Sequence, residues 1–164
     1  MKIASPFALS GILLLATAAA YAQTTTTSFQ VTAAVSSGCV LTATNHDFGV
    51  YTPASLADNI NGSNILTATC TLAVPYTLGL DTGLEPGATA DARKMKRVGG
   101  TETLTYSLYQ SADRLTVLGS TAGLTISGVG TGLAIDHTVF GTIPAGQNVP
   151  AGNYADTVTA TLTF

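Results

Sequence analysis

Residues 157–164 alternate without a break: Thr157, Thr159, Thr161 and Thr163 on one parity, Val158, Ala160, Leu162 and Phe164 on the other. Successive side chains of an extended chain point to opposite faces, so this segment is a strand with one buried face. The same period of two recurs upstream. Leu66, Ala68, Cys70 and Leu72 alternate with threonines, as do Leu104, Tyr106 and Leu108. Tyr76, Leu78 and Leu80 continue the pattern beyond Pro75, and Leu133, Ile135, Val139 and Ile143 mark another strand. Shorter apolar pieces lie at Leu115 to Val117 and at Leu124 to Ile126, and a first strand is read from Cys39 to Thr44 and Phe48 to Tyr51. No stretch beyond residue 22 has a 3.6-residue period. Short strands parted by Gly, Pro and Asn turns predict an all-β sandwich.

Composition bounds the partners. The chain has six Lys+Arg against nine Asp+Glu, and only 9% of its residues are charged. Phosphate binding needs a basic field, so nucleic acid is excluded as a partner. Residues 1–22 read as a secretory signal: Lys2 opens it, residues 7–16 are apolar, and Ala20 and Ala22 flank a small-x-small cleavage site. No later run is long enough to span a membrane. In an oxidising compartment the default reading of Cys39 and Cys70 is one disulfide, with two free buried thiols as the alternative. Closing that loop contributes roughly 3–4 kcal/mol in the chain-entropy model. Two Cys and two distant His do not make a zinc site.

Between Cys39 and the carboxyl end about six main strands are expected, where an immunoglobulin-like sandwich needs seven. Residues 157–164 run to the last position, so the missing strand is expected from elsewhere. An incomplete sandwich exposes an apolar groove and an unpaired edge. Ahead of Cys39 lies a segment with the right pattern, in which Phe29, Val31, Ala33 and Val35 share one face and Gln30, Thr32, Ala34 and Ser36 the other. Either it folds back into its own groove or it is made for another molecule. Ser36, Ser37 and Gly38 form a link compatible with a hinge.

Several motifs follow one another in an order that resembles a known family. They are Phe29, Val31, Ala33 and Val35 before Cys39; Asp47, Phe48, Gly49 and Tyr51; Cys70 with Pro75 and Tyr76; and Leu104, Tyr106, Leu108 and Tyr109. The run from Phe140 through Ile143, Pro144, Gly146, Gln147, Pro150, Gly152 and Tyr154 to Asp156 is the most specific. Together they resemble the spore coat protein U domain, the fold of subunits of archaic chaperone–usher pili, over residues 23–164.

The resemblance implies an incomplete immunoglobulin-like sandwich over residues 39–164, completed by a donor strand from another subunit, with residues 23–38 as donor arm and hinge. It implies Phe29, Val31, Ala33 and Val35 as donor residues, and Val158, Ala160, Leu162 and Phe164 as one wall of the acceptor groove. The family's disulfide maps onto Cys39 and Cys70. Implied partners are identical or homologous subunits, a periplasmic chaperone and an outer-membrane usher. The implied route runs through the periplasm to a cell-surface pilus that supports attachment and biofilm formation. A secreted spore or cell-surface coat protein is the alternative, and a carbohydrate-binding sandwich module a more distant one.

The remaining features read as structural. Arg93, Lys94, Lys96 and Arg97 are expected on a solvated loop or an edge strand, where lysines discourage unwanted pairing. Tyr154 resembles a tyrosine corner anchoring the turn into the final strand. His137 shares its parity with Ile135 and Val139 and is expected to have a hydrogen-bonded ring nitrogen in the core. Asp136 faces the opposite way, so the two make no dyad. No catalytic constellation or cofactor motif is present, and an enzyme is not expected.

Overall fold

The computed structural model describes residues 22–164. The secretory signal read in residues 1–22 lies outside the described residues except for Ala22. The chain divides after Ala34 into a leading unit and a main unit. The described part of the leading unit contains neither strand nor helix.

The main unit is all-β, with nine strands and no helix among the described residues. They are β1 (Cys39–Ala43), β2 (Ser63–Cys70), β3 (Pro75–Leu80), β4 (Arg93–Arg97), β5 (Thr103–Tyr109), β6 (Ile126–Val129), β7 (Ala134–Thr142), β8 (Tyr154–Ala155) and β9 (Ala160–Thr163). They form a six-stranded sheet in the order β1-β2-β7-β5-β4-β8 and a three-stranded sheet in the order β6-β3-β9. Every ladder is antiparallel.

Strands are more numerous than the expected six because short ones, β4, β6 and β8, escape a search for long alternation. Phe48 to Tyr51 is not a strand. Instead, the Asp47 carboxylate accepts the Gly49 N–H at 2.8 Å, and Gly49 sits at φ 65°, a turn that glycine adopts without steric cost. Phe48 is thereby turned into the core.

The core lies between the sheets and follows from the alternation. Leu66, Val139, Leu104, Tyr106 and Leu108 come from the larger sheet, Leu78 and Leu80 from the smaller, with Phe48, Leu118 and Ile143 closing the ends. A satellite cluster joins Ala68 and Cys70 to Tyr76, with Cys39, Ile135 and Leu162 packed against it. β5 and β7 pair only over three positions. Nearer the start of β5, the Gln147 side chain takes the place of a strand, accepting the Thr105 N–H at 2.7 Å and donating to the Thr105 carbonyl at 2.8 Å.

The final segment changes sheets. β8 pairs with β4 and β9 with β3, so residues 156–159 cross between layers and lose their ladder. Two aspartates satisfy that backbone. Asp156 Oδ1 accepts the N–H groups of Leu84 (3.0 Å) and Thr157 (2.8 Å), and Asp81 Oδ1 accepts those of Gly83 (3.0 Å) and Thr159 (2.9 Å). Tyr106 Oη donates to Asp156 Oδ2 at 2.6 Å. Burial, then that hydrogen bond and the carboxylate's charge, push the Tyr106 phenol far above its ordinary range. Burial works against the Asp81 carboxylate, yet the hydrogen bonds from Thr159 and Gly83 outweigh it and hold it below its ordinary range.

Gly83 is required twice over. Its φ is 83°, and a Cβ there would collide with the Asp156 carboxylate. Gly83→Ala should destabilise the domain by about 2 kcal/mol or more, combining the left-handed backbone cost with displacement of Asp156. Urea unfolding checks this, and an unchanged midpoint would show that the crossing does not depend on the contact.

Candidate functional site

The two sheets meet along one seam where neither edge strand has a second ladder partner. β1 pairs only with β2 and β9 only with β3, so each is an edge of its sheet. Their inward residues are apolar yet only partly buried. Leu41 on β1, Ala160 on β9 and Val158 just ahead of it pack against the main cluster, while Cys39 and Leu162 pack against the satellite. A completed sandwich buries such positions fully. Half-buried apolar residues on two unpaired edges are a liability that an added strand would cover.

Of the residues expected to line an acceptor groove, Ala160 and Leu162 lie in β9, Val158 lies in the crossing, and Phe164 lies beyond the strand at 58% exposure. Cys39 and Leu41 of β1, for which no such role is expected from sequence, lie on the other edge. Its signal was the alternation of these two with Val40 and Thr42.

The leading segment presents the complementary pattern. Phe29 is 86% exposed, Val31 82% and Val35 87%, and Ala33 is exposed as well. Isolated exposed apolar side chains are ordinary, but here four recur at period two on one segment without a strand.

Cys39 and Cys70 form a disulfide and are direct cross-strand neighbours in the β1–β2 ladder. The bridge therefore fastens the seam-facing β1 to the body of the sheet. Tyr154 Oη donates to the Pro150 carbonyl at 2.8 Å, four residues upstream. The basic cluster differs from expectation. It forms β4, which is flanked by β5 and β8 rather than lying at the edge. Lys96 pairs with Glu85 at 3.6 Å and Arg97 with Glu102 at 3.3 Å, whereas Arg93 is wholly buried.

The histidines are structural in their contacts. His137 Nε2 and Tyr76 Oη share a hydrogen bond of 2.8 Å between the two sheets, and His46 Nδ1 lies 3.2 Å from Asn64 Oδ1. Burial lowers the pKa of both from the ordinary 6.5, against opposing hydrogen bonds at His46 and the Asp136 charge at His137. The unfolded chain therefore binds protons that the folded chain resists, so stability present above pH 6.5 is lost as the pH falls through the depressed folded values. The urea midpoint should drop from pH 7.5 to 5.5, and replacing both histidines with Gln should flatten the slope. A midpoint that rises on acidification would contradict the assignment. Among the described residues no group of three or more His, Cys, Asp or Glu is placed to hold a metal, and no helix is long and apolar enough to cross a membrane.

Three comparisons bear on this arrangement. A sequence model of the Spore Coat Protein U domain matches residues 25–161, so the leading segment falls inside the match. Protein U of Myxococcus xanthus is 39% identical over 126 residues, covering 72% of this chain and 70% of that protein. Among solved structures, similarity extends to a chain in the chaperone–tip adhesion subunit pre-assembly complex from the archaic chaperone–usher Csu pili of Acinetobacter baumannii. The TM-score is 0.58 and the identity 25%, over 79% of this chain and 40% of that one. The present chain thus spans less than half the length of that solved chain.

Proposed function

We propose, from the premise that the chain belongs to the Spore Coat Protein U domain family, that it is a structural subunit of a chaperone–usher pilus. The observation that carries this reading is the pair of unpaired edges β1 and β9, whose apolar inner residues are left half-buried. Residues 23–38 serve as donor arm and hinge. Phe29, Val31, Ala33 and Val35 of one copy enter the seam of another, between Leu41 and Cys39 on one side and Val158, Ala160 and Leu162 on the other.

Burying three large apolar side chains stabilises the contact by about 1.5–3 kcal/mol each, and main-chain pairing along the edge adds to it. Head-to-tail repetition of a contact that does not close on itself gives a filament. Before assembly the seam is an aggregation hazard, so a periplasmic chaperone covers it and an outer-membrane usher is where subunits exchange it for an arm. Surface attachment and biofilm formation follow from the filament.

Electron microscopy of cells expressing the chain with its chaperone and usher tests the proposal. Thin surface filaments labelled by antibody to the chain are expected. An amorphous coat carrying the same label would overturn the reading in favour of a coat protein.

A further inference from the structure

A groove lies along the edge of β7 that β5 leaves unpaired, reaching from the outer side of the larger sheet to β6 of the smaller one. β5 leaves β7 after Tyr109, its chain turning so that the Gln110 N–H reaches the Thr116 carbonyl at 3.0 Å. β7 continues back to Ala134 with β2 as its sole ladder partner there. The departure leaves a groove of about 520 Å³ lined by Gln110, Ser111, Asp136, Thr138 and Phe140, with Ile126 of β6 and the edge of His137 at its inner end. Alternation puts Asp136, Thr138 and Phe140 on the outer side of β7, and the ladder places Tyr109 directly opposite Phe140.

The rim is held rigidly. Arg114 donates to the carbonyls of Ala112 (2.9 Å), Gly141 (3.2 Å) and Ile60 (3.0 Å), with its guanidinium 5.8 Å from the centre of the Phe140 ring. The Asp113 carboxylate accepts from Ser111 Oγ at 2.5 Å and from the Leu115 N–H at 3.1 Å. Inside this frame polar atoms are unspent. Thr67 Oγ1 donates to Asp136 Oδ1 at 2.6 Å, which fixes the carboxylate and leaves Oδ2 free. Gln110 Oε1 and Thr138 Oγ1 make no hydrogen bond among the described residues, the Gln110 amide nitrogen being turned to the Val117 carbonyl.

We propose that this groove is a binding site for a neutral saccharide. A fixed carboxylate oxygen, an amide oxygen and a hydroxyl are the acceptors and donors that a run of sugar hydroxyls satisfies. Phe140 and Ile126 supply apolar surface for the ring C–H face. The carboxylates of Asp136 and Asp113 outnumber the single guanidinium of Arg114 at the groove among the described residues, which selects against anionic sugars. A preformed rim spares the ordering cost of binding, though an open groove keeps each site weak. On the filament reading the site would recur in every subunit and act by avidity; binding to one subunit does not depend on that reading.

The test is a heteronuclear NMR titration of the isotope-labelled chain, purified with its chaperone bound, with the hexasaccharides of cellulose, starch and chitin, with an alginate hexasaccharide and an uncharged Thr/Ala decapeptide alongside. At least one neutral sugar should move the amide signals of residues 110–112 and 136–140. Alginate should not. Asp136→Ala, an exposed site, should weaken binding about tenfold, the scale of one lost hydrogen bond to a charged group. No shifts with any neutral sugar at about 10 mM, shifts elsewhere, shifts with the peptide alone, or an unchanged affinity in Asp136→Ala would each overturn the proposal. Filaments should form normally with Asp136→Ala, which separates loss of sugar binding from failure of assembly.

Discussion

Replacing Val31 with Asp should abolish assembly while leaving the sandwich of the altered subunit folded. Val31 is 82% exposed in its own chain, so its removal costs that chain no core. In the proposed filament it enters a seam lined by Leu41, Val158, Ala160 and Leu162, where no basic side chain is among the inward residues. An unpaired carboxylate there loses the apolar contribution of valine and adds a desolvation penalty of several kcal/mol. At 1.4 kcal/mol per factor of ten, a change of this size reduces arm occupancy by orders of magnitude. Filament mass by electron microscopy and the fold of the chaperone-bound subunit by near-ultraviolet circular dichroism are the two readouts. Normal filaments from Val31→Asp would remove Val31 from the donor face. Phe29→Ala, which keeps the arm neutral, should weaken assembly without eliminating it.

The second large effect concerns Arg93. Its guanidinium is wholly buried and donates to backbone carbonyls alone: Asp81 at 2.9 and 2.7 Å, Ala90 at 2.7 Å and Leu118 at 2.7 Å. Burial pulls its pKa down, opposed by Tyr106, Asp81 and Asp156, and an arginine stays charged under that pressure. The one side chain therefore joins the loop after β3, the turn before β4 and the segment after β5. Arg93→Ala strands three carbonyls around a cavity and should destabilise the domain by about 3–5 kcal/mol, a large fraction of the stability of a small domain. Arg93→Lys should rescue little, since an ammonium does not span the planar fork. The Asp81 carboxylate also holds the start of β9, so the seam wall should loosen with it. Yield and the urea midpoint report the effect; Lys94→Ala, whose Nζ lies on the exposed side 3.4 Å from the Pro86 carbonyl, should be nearly neutral. Arg93→Ala behaving like Lys94→Ala would refute the structural role.

Alternation made much of this fold readable in advance. Leu66, Ala68 and Cys70, Leu78 and Leu80, and Leu104, Tyr106 and Leu108 all face the core as their period of two requires. Other features depend on contacts distant in sequence. Arg93 shares a parity with Met95 and Arg97, but nothing local shows that carbonyls from residues 81, 90 and 118 converge on it. The unbroken alternation of residues 157–164 hides a change of sheet, because residues 156–159 stay extended while aspartates replace their ladder. Likewise, the pairing of Tyr109 with Phe140 follows from β-sheet register, which neither segment reveals alone. The edge strand β9 is legible from its long alternation and the edge strand β1 is not, since a five-residue strand beside a cysteine carries little pattern.

In the proposed filament the arm of one copy fills the seam of another. That contact is tested most directly by trapping the two elements in different chains. A tagged chain carrying Val31→Cys and an untagged chain carrying Leu162→Cys are expressed together and oxidised, with Ala160→Cys as a second acceptor position. A covalent heterodimer is expected on non-reducing gels, lost on reduction and much weaker when the arm cysteine is placed at Gln30, on the opposite face, instead of Val31. Absence of the heterodimer, with a single chain bearing both cysteines cross-linking to itself as a monomer, would show that the arm completes its own sandwich and would contradict the account.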